Sequence, residues 1–167
     1  VSSWADQSGS STNATQATLA NQPSQLTNDL NFHSTIDFSG NTDYFSITNA
    51  PANLNSTVFT VGVPRVNSNW RTMFRGNTSD HPLIIQSGGT ALGYYDGDNI
   101  GFKSSGFTWL QNEAALVGLE MKTGDVNFRK NGVQGSSIAT INLAGLNLNS
   151  FGNFTTNSQQ FGRIAET

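Results

Sequence analysis

The sequence predicts an all-β protein built as a two-sheet antiparallel β-sandwich. Asn, Ser, Thr and Gly supply 74 of the 167 residues, a mixture that helices rarely tolerate. About a dozen short runs of β-branched and aromatic residues recur at spacings of roughly 8 to 12 residues, with turn residues between them. A barrel and a β-helix are the alternatives, although the absence of a repeat of roughly 20 to 30 residues argues against a solenoid.

One domain accounts for the length of the chain. The composition includes 35% hydrophobic residues, with eleven Phe and three Trp, which is enough for a sizeable core. No linker interrupts residues 1–167, so we expect a single domain. Because the chain contains no Cys, its stability has to come from packing and from sheet hydrogen bonds.

The predicted strands begin after a long polar segment. Residues 10–31 carry few large apolar side chains and include Pro23, which predicts an irregular excursion over the surface. Beyond it, β-branched and aromatic residues alternate or cluster between Gly, Asn and Pro. The strands predicted from this pattern are Thr35–Phe38, Tyr44–Ile47, Thr57–Val63, Arg71–Phe74, Pro82–Gln86, Ala91–Tyr95, Asn99–Lys103, Ala114–Met121, Asp125–Lys130, Ile138–Ile141, Leu146–Leu148 and Gly162–Ala165.

Turn residues separate these strands. Gly88-Gly89 and Asp96-Gly97-Asp98 supply tight reversals. Asn131-Gly132 gives the strongest hairpin signal, because both central residues of a type I′ turn need positive φ and this pair adopts it readily.

The charge pattern argues against several classes of partner. Eight Lys and Arg against eleven Asp and Glu give a net charge of −3 and form no basic stripe, so we expect no nucleic-acid partner. The sequence contains no run of about 18 apolar residues, so we expect no membrane insertion. It also contains no signal-peptide pattern. The chain is interpreted as a module cut from a longer, already processed polypeptide.

Four short motifs occur in an order that matches a known class of domain. They are Trp4–Gly9 (WADQSG), Ser34–Phe45 (STIDFSGNTDYF), Val126–Val133 (VNFRKNGV) and Phe161–Glu166 (FGRIAE). Together they resemble the laminin-G-like members of the concanavalin A-like lectin and glucanase sandwiches, in the form found in secreted surface proteins of Bacteroidetes-type bacteria.

The resemblance implies a jelly-roll sandwich that is exported to the extracellular space or the cell surface, with neighbouring domains of the same polypeptide as partners. In this class the Gly-x-Ile-Ala-Glu sequence runs on into an apolar strand and a short closing helix. The expectation is therefore a fragment of a larger multidomain protein that lacks its last strand or closing helix. A sheet edge near Thr167 would then be open to pairing.

The acidic residues give little sign of glycoside hydrolysis, which needs two carboxylates at a defined separation. Asp96 and Asp98 are spaced to share one face, but they flank a glycine at a turn, and Glu113 and Glu120 would face opposite sides of a strand. No Gly-x-Ser-x-Gly motif is present, and both histidines are interpreted as surface or turn residues. The sequence therefore predicts that the chain is not an enzyme.

Calcium is the metal that the sequence favours. Asp96, Asp98 and Asn99 concentrate two carboxylates and an amide in one loop, and hard cations prefer such oxygen ligands. The alternative is that these residues serve the turn itself. For Asp6 and Asp43 we expect the second role, with each carboxylate accepting hydrogen bonds from its own turn.

Carbohydrate binding would need exposed aromatic faces beside neutral hydrogen-bonding groups. The residues with this setting are Trp70, Tyr94, Tyr95 and Trp109. Tyr94 and Tyr95 are adjacent and must face opposite sides of a strand, so at least one is expected to be accessible. Trp4 is expected to anchor the core.

Three functions are consistent with these patterns. The first is a non-catalytic binding or adhesion module of a secreted or cell-surface bacterial protein that recognises carbohydrate with the assistance of calcium. The second is a structural spacer in a long surface adhesin, without a ligand of its own. The third is a part of a polysaccharide-degrading enzyme.

Overall fold

The protein is a sandwich of two antiparallel β-sheets, as the sequence predicts. The computed structural model describes residues 1–51, 55–65, 68–77, 79–97, 100–122, 124–141, 143, 146–154 and 158–165. These residues form β1 (Ser3–Trp4), β2 (Ala14–Thr15), β3 (Ser24–Leu30), β4 (His33–Asp37), β5 (Phe45–Pro51), β6 (Ser56–Pro64), β7 (Arg71–Gly76), β8 (His81–Ile85), β9 (Ala91–Asp96), β10 (Gly101–Thr108), β11 (Ala115–Lys122), β12 (Gly124–Lys130), β13 (Val133–Ile141), β14 (Asn147–Phe151) and β15 (Gly162–Ala165).

The strand order brings distant parts of the chain together. The eight-stranded sheet has the order β1-β2-β5-β14-β7-β8-β9-β10, and the seven-stranded sheet has the order β13-β12-β11-β6-β15-β4-β3. The late strands β14 and β15 therefore lie inside their sheets, each between two strands from earlier in the chain. Within the described residues the structure contains no apolar helix of membrane-spanning length.

The prediction of an irregular segment over residues 10–31 is wrong in part. Ser24–Leu30 is a strand that pairs with β4 at the edge of the seven-stranded sheet. Most of its side chains are exposed or half-buried, so its polar sequence lacks the apolar alternation that marks a strand with one buried face. A 3₁₀ turn at Leu19–Asn21 precedes it.

The Asn131-Gly132 hairpin is confirmed. The two residues join β12 to β13 and have φ of 50° and 83°. Positive φ at both central positions is the requirement of a type I′ turn, which matches the right-handed twist of the strands that it connects.

The core fills the space between the sheets with aromatic and aliphatic side chains. Phe38, Phe45, Phe128 and Phe161 are fully buried. Trp4 packs on Phe151 with ring centroids 5.3 Å apart, so its expected role as a core anchor is confirmed.

Asp6 and Asp43 both serve their own turns, as expected. Asp6 accepts hydrogen bonds from the backbone N–H groups of Ser8 at 2.8 Å and Thr12 at 3.0 Å. Hydrogen bonds from Ser8 lower the pKa of Asp6, as does the bond from Thr12. Asp43 accepts a hydrogen bond from the N–H of Gly40 at 2.7 Å. The expected open edge near Thr167 lies outside the described residues.

Candidate functional site

An aromatic cluster covers part of the outer face of the eight-stranded sheet. Trp70 lies 5.5 Å from Tyr95 and 5.7 Å from Phe102, measured between ring centroids. His81 lies 5.7 Å from Tyr95 and 5.1 Å from Phe154. These rings surround a cavity of about 270 Å³, which we call the cleft; its lining is Trp70, Ser79, His81, Ile84, Tyr95, Gly97, Phe154 and Gln159.

Strand alternation and one glycine place these rings. Tyr94 points into the core and Tyr95 points outward, where it is paired across the sheet with His81 on one side and Phe102 on the other. A Cβ at Gly93 would come within 2.9 Å of the Phe102 ring and closer still to the carbonyl oxygen of Lys103. Glycine at this position lets the Phe102 ring lie across the sheet.

The segment that follows β14 forms one side of the cleft, and we call residues 152–154 and 158–161 the wall segment. Its backbone joins β7, because the N–H of Thr72 donates to the carbonyl oxygen of Gln159 at 3.0 Å. The side chain of Asn69 adds a hydrogen bond to the carbonyl oxygen of Ser158 at 3.0 Å. Phe154 and Gln159, which line the cleft, are therefore held against the sheet.

Asn153 anchors the wall segment from within. Its side chain is fully buried. Its Nδ2 donates to the carbonyl oxygen of Asn41 at 3.0 Å, and its Oδ1 accepts from the N–H groups of Phe154 at 2.7 Å and Gln159 at 2.9 Å. The amide side chain of Asn153 thus holds the backbone at both Phe154 and Gln159, the two residues of the wall segment that line the cleft.

His81 is held as a neutral ring. Its Nδ1 lies 3.0 Å from the hydroxyl oxygen of Thr72, and that hydroxyl also lies 2.8 Å from Oε1 of Gln159. Burial lowers the pKa of His81 from 6.5 to about 4, and the positive charge of Arg75 contributes to the same shift. At neutral pH the cleft therefore contains an uncharged imidazole.

Arg75 brings a positive charge to the edge of the cleft. Its guanidinium carbon lies 4.1 Å from the centroid of the Phe154 ring, a cation–π arrangement. Its Nε is buried without a hydrogen-bond partner, and burial lowers its pKa. Among the described residues no carboxylate forms a salt bridge with Arg75.

Two of the four aromatic residues predicted to bind ligand lie in this cluster and two do not. Trp70 and Tyr95 are partly exposed and line the cleft. The proposals for Tyr94 and Trp109 need correction, because both side chains are fully buried and present no face to a ligand. Trp109 packs on Phe161 and donates its Nε1–H to the carbonyl oxygen of Glu113 at 3.0 Å.

The predicted calcium ligands are only partly described. Asp96 is buried at the end of β9, whereas Asp98 and Asn99 lie outside the described residues. Nearby, Oδ1 of Asp80 accepts the N–H of Gly97 at 2.9 Å. Within the described part of the chain no three His, Cys, Asp or Glu side chains converge on a metal position. Calcium at this loop stays a prediction.

Sequence reasoning missed His81, Arg75, Phe154 and Gln159. His81 was expected at the surface or in a turn, but it belongs to a strand whose five residues are all buried. The available signal was its position directly before the apolar run Pro82–Ile85. Phe154 and Gln159 carried no signal of their own, since the wall segment reaches β7 only through tertiary structure.

A larger cavity of about 970 Å³ lies beside the seven-stranded sheet. It is bounded by the turn between β3 and β4, including Phe32, and by Val61 and Leu116. His33 is the one ionisable side chain in its described lining. Of these two cavities, as the described residues line them, the smaller cleft combines an aromatic cluster with a buried histidine and an arginine at its edge, and we take it as the candidate functional site.

Comparison with known proteins supports the fold. No protein-family model matches the chain, and no curated protein matches it. Among solved structures, alginate lyase A1-II′, a member of polysaccharide lyase family 7, is similar with a TM-score of 0.52 and 13% identity over 82% of this chain and 77% of that chain. Its Y284F variant in complex with product gives a TM-score of 0.53 and 13% identity over 90% and 81%.

A galectin from Caenorhabditis elegans, LEC-6, overlaps more loosely, with a TM-score of 0.42 and 12% identity over 72% of this chain and 79% of that chain. At these identities the likeness shows the fold alone. The protein has the concanavalin A-like jelly-roll sandwich that the sequence motifs imply.

The prediction that the chain is not an enzyme is wrong, because polysaccharide lyases share its fold. That prediction rested on the absence of a carboxylate pair, which tests for glycoside hydrolysis and not for elimination. The cleft adds the neutral ring of His81, which the sequence had predicted to be a surface or turn residue. The fold is therefore compatible with both polysaccharide binding and polysaccharide cleavage.

Proposed function

We propose that this domain binds a polysaccharide along the outer face of its eight-stranded sheet, with one sugar unit seated in the cleft. The observation that carries the proposal is the aromatic cluster around Trp70, beside the hydrogen-bonding side chains of His81 and Gln159. Ligand sites typically combine apolar and aromatic surface with a few placed polar groups. At about 270 Å³ the cleft suits one ring of a longer chain.

The charge of the cleft favours an acidic polysaccharide. Arg75 has no carboxylate partner among the described residues, and none of the described residues that line the cleft is an Asp or Glu. A sugar carboxylate placed near Arg75 would supply the missing acceptor, in a setting where charge-assisted hydrogen bonds are strong. Alginate, the substrate named for the lyases of this fold, is the first polysaccharide to test.

Eliminative cleavage is the second candidate function. The pKa of His81 is lowered to about 4, so its ring is neutral at pH 7 with a free lone pair, but it is a weaker base than an ordinary histidine and suits a proton that a nearby cation has made more acidic. Tyr95, 5.7 Å away between ring centroids, supplies a hydroxyl on the same side of the sheet. In such a step the base takes the proton next to the sugar carboxylate, a C=C bond forms as the bond to the glycosidic oxygen breaks, and the Tyr95 hydroxyl protonates that oxygen while Arg75 neutralises the carboxylate.

Calorimetric titration of alginate oligosaccharides into the domain tests the proposal, with dextran as a neutral control. Trp70→Ala should reduce affinity for alginate about tenfold or more, since it removes a large aromatic contact. Phe59→Ala is the matched control, because Phe59 is 65% exposed on the outer face of the other sheet. Equal effects of both substitutions, or no binding by the unmodified domain, would contradict the proposal.

The same samples separate binding from turnover. Elimination creates unsaturated sugar ends that absorb ultraviolet light, and hydrolysis does not. An absorbance increase that disappears in His81→Gln would assign lyase activity, whereas binding without any increase would assign recognition alone.

The cellular setting follows from the resemblance of the motifs. We propose that the domain is a laminin-G-like module of an exported bacterial surface protein, and that calcium binds at Asp96, Asp98 and Asn99. A thermal melt with calcium and with a chelator tests the metal, because a ligand that binds only the folded state raises Tm. An unchanged Tm would remove calcium from the proposal.

A further inference from the structure

The hydroxyl of Thr72 connects two side chains of the cleft. Its oxygen lies 2.8 Å from Oε1 of Gln159 and 3.0 Å from Nδ1 of His81. A hydroxyl group has one hydrogen to donate and can accept through its lone pairs, whereas an amide oxygen can only accept. The hydrogen of Thr72 is therefore committed to Gln159, and the oxygen of Thr72 has to accept a hydrogen from His81.

This assignment decides where the proton of His81 lies. A neutral imidazole carries one N–H, and the partner of one ring nitrogen determines the state of the other. If Nδ1 donates to Thr72, then Nε2 carries a lone pair. Nε2 has no hydrogen-bond partner among the described residues, and the ring lines the cleft.

The orientation of Gln159 is fixed by more than its side chain. Its N–H donates to Oδ1 of Asn153 at 2.9 Å, and its carbonyl oxygen accepts the N–H of Thr72 at 3.0 Å. Thr72 and Gln159 are thus joined by their backbones as well as by their side chains. Thr72 itself is fully buried, so water does not compete for its hydroxyl.

We propose that Thr72 is a positioning residue that, together with Gln159, holds His81 in the Nδ1–H tautomer and presents Nε2 to the ligand as a hydrogen-bond acceptor. The ligand in this inference is the one of the proposed function, whereas the tautomer itself is tested in the ligand-free protein. Its consequence is an orientation rule for the sugar. A group that donates, such as a sugar hydroxyl, belongs at His81, and a carboxylate belongs at Arg75.

The tautomer is measured directly by long-range ¹H–¹⁵N correlation spectra of the ¹⁵N-labelled domain at pH 7 without ligand. His33→Gln removes the second histidine and leaves one ring to assign. We expect a protonated, pyrrole-type Nδ1 and an unprotonated, pyridine-type Nε2 at His81. The reverse pattern would overturn the inference, whatever the domain does with polysaccharides.

Substitutions at Thr72 give the second readout. Thr72→Val keeps the shape of the side chain but removes the acceptor, and it should move the ring towards the Nε2–H tautomer. Thr72→Ser retains the hydroxyl and should keep the spectrum of the unmodified domain. Unchanged tautomers in Thr72→Val would contradict the role of Thr72, even if the unmodified domain shows the expected pattern.

Binding then connects the tautomer to the ligand. Thr72→Val should weaken alginate binding about tenfold, which is the effect of losing one hydrogen bond in a desolvated site. Thr72→Ser should bind alginate as tightly as the unmodified domain. A domain with the expected tautomer that binds no polysaccharide would leave the positioning role intact and refute the proposed function. A domain that binds equally well with either tautomer would refute the orientation rule.

Discussion

Both outer faces of the sandwich carry arginines, but their partners differ. On the seven-stranded sheet, Arg163 lies 2.6 Å from Asp29, and Arg65 makes two hydrogen bonds to Asp37 at 3.0 and 2.5 Å. On the eight-stranded sheet, Arg75 lies against the ring of Phe154 with its Nε unpaired. The first two arginines connect strands of the sheet, because each has a carboxylate partner within the protein.

The difference in arginine partners favours the eight-stranded sheet as the ligand face of the proposed function. A guanidinium that has a carboxylate partner stabilises strand packing modestly at a partly exposed position, and an acidic ligand would have to displace that partner. A guanidinium that lies against an aromatic ring and has no carboxylate partner, like that of half-buried Arg75, keeps its charge available to an acidic ligand. Arginine content alone therefore does not distinguish the two faces, whereas the partner of each arginine does.

The wall segment should be the most sensitive part of the ligand face. Asn153→Ala would remove a fully buried side chain and leave the partly buried N–H groups of Phe154 and Gln159 without their acceptor. We expect a loss of about 3 kcal/mol or more in the free energy of unfolding, together with loss of alginate binding. Urea unfolding and calorimetry measure the two effects.

Asn127→Ala is the matched control on the seven-stranded sheet, where the Asn127 side chain is half-buried and donates to Asp125 at 3.0 Å. It should cost less than about 1 kcal/mol and leave binding intact. A similar loss from both substitutions would mean that the wall is no more dependent on its anchor than an ordinary strand.

The two histidines extend the comparison to pH. Because the pKa of His81 falls from 6.5 to about 4 in the folded state, the unfolded chain takes up the proton first as the pH falls. The contribution of neutral, buried His81 to the free energy of unfolding is therefore complete above pH 6.5 and is lost between pH 6.5 and 4. Its total is on the order of 3 kcal/mol. Urea unfolding across this pH range measures it.

His81→Gln should flatten the dependence of unfolding on pH in that range, relative to the unmodified domain. His33→Gln, at an exposed position on β4, is the corresponding control. A curve that keeps its full slope in His81→Gln would assign the slope to other groups.

Arg75→Gln should weaken binding of alginate by roughly ten- to a hundredfold, because hydrogen bonds to a charged group contribute about 1.5 to 3 kcal/mol. Binding of a neutral polysaccharide should change little. Calorimetry in low and high salt measures both, and the loss for alginate should shrink as salt increases.

Arg163→Gln completes the series with the smallest effect. The side chains of Arg163 and Asp29 are 28% and 16% exposed, so the pair should contribute at most about 1 kcal/mol to the free energy of unfolding. Alginate affinity should not change. A loss of affinity comparable to that of Arg75→Gln would contradict the assignment of the ligand to the eight-stranded face.

The sequence predicts the sandwich well, because strand alternation and turn chemistry are local properties. Asn131-Gly132 forms its hairpin for reasons contained in two residues. The polar edge strand Ser24–Leu30 was missed because a strand with little buried surface shows no apolar alternation.

The site is predicted in part, for a related reason. The alternation of side chains along a strand predicts that Tyr94 and Tyr95 face opposite sides of the sheet, but it does not predict which of the two faces the core. Trp109 and Trp70 both lie beside polar residues in the sequence, but Trp109 is fully buried and Trp70 is partly exposed. The contact between Thr72 and Gln159 joins residues 87 positions apart, and no local pattern marks it.

The strand order also determines when the cleft can exist. Since β14 and β15 lie inside their sheets, each sheet has a gap until these two strands have paired, and pairs such as Arg163 with Asp29 close loops of 134 residues. Such non-local topologies fold slowly, in milliseconds to seconds. The cleft would therefore be incomplete until β14 and the wall segment have docked, and the proposed binding of polysaccharide can report a late step of folding.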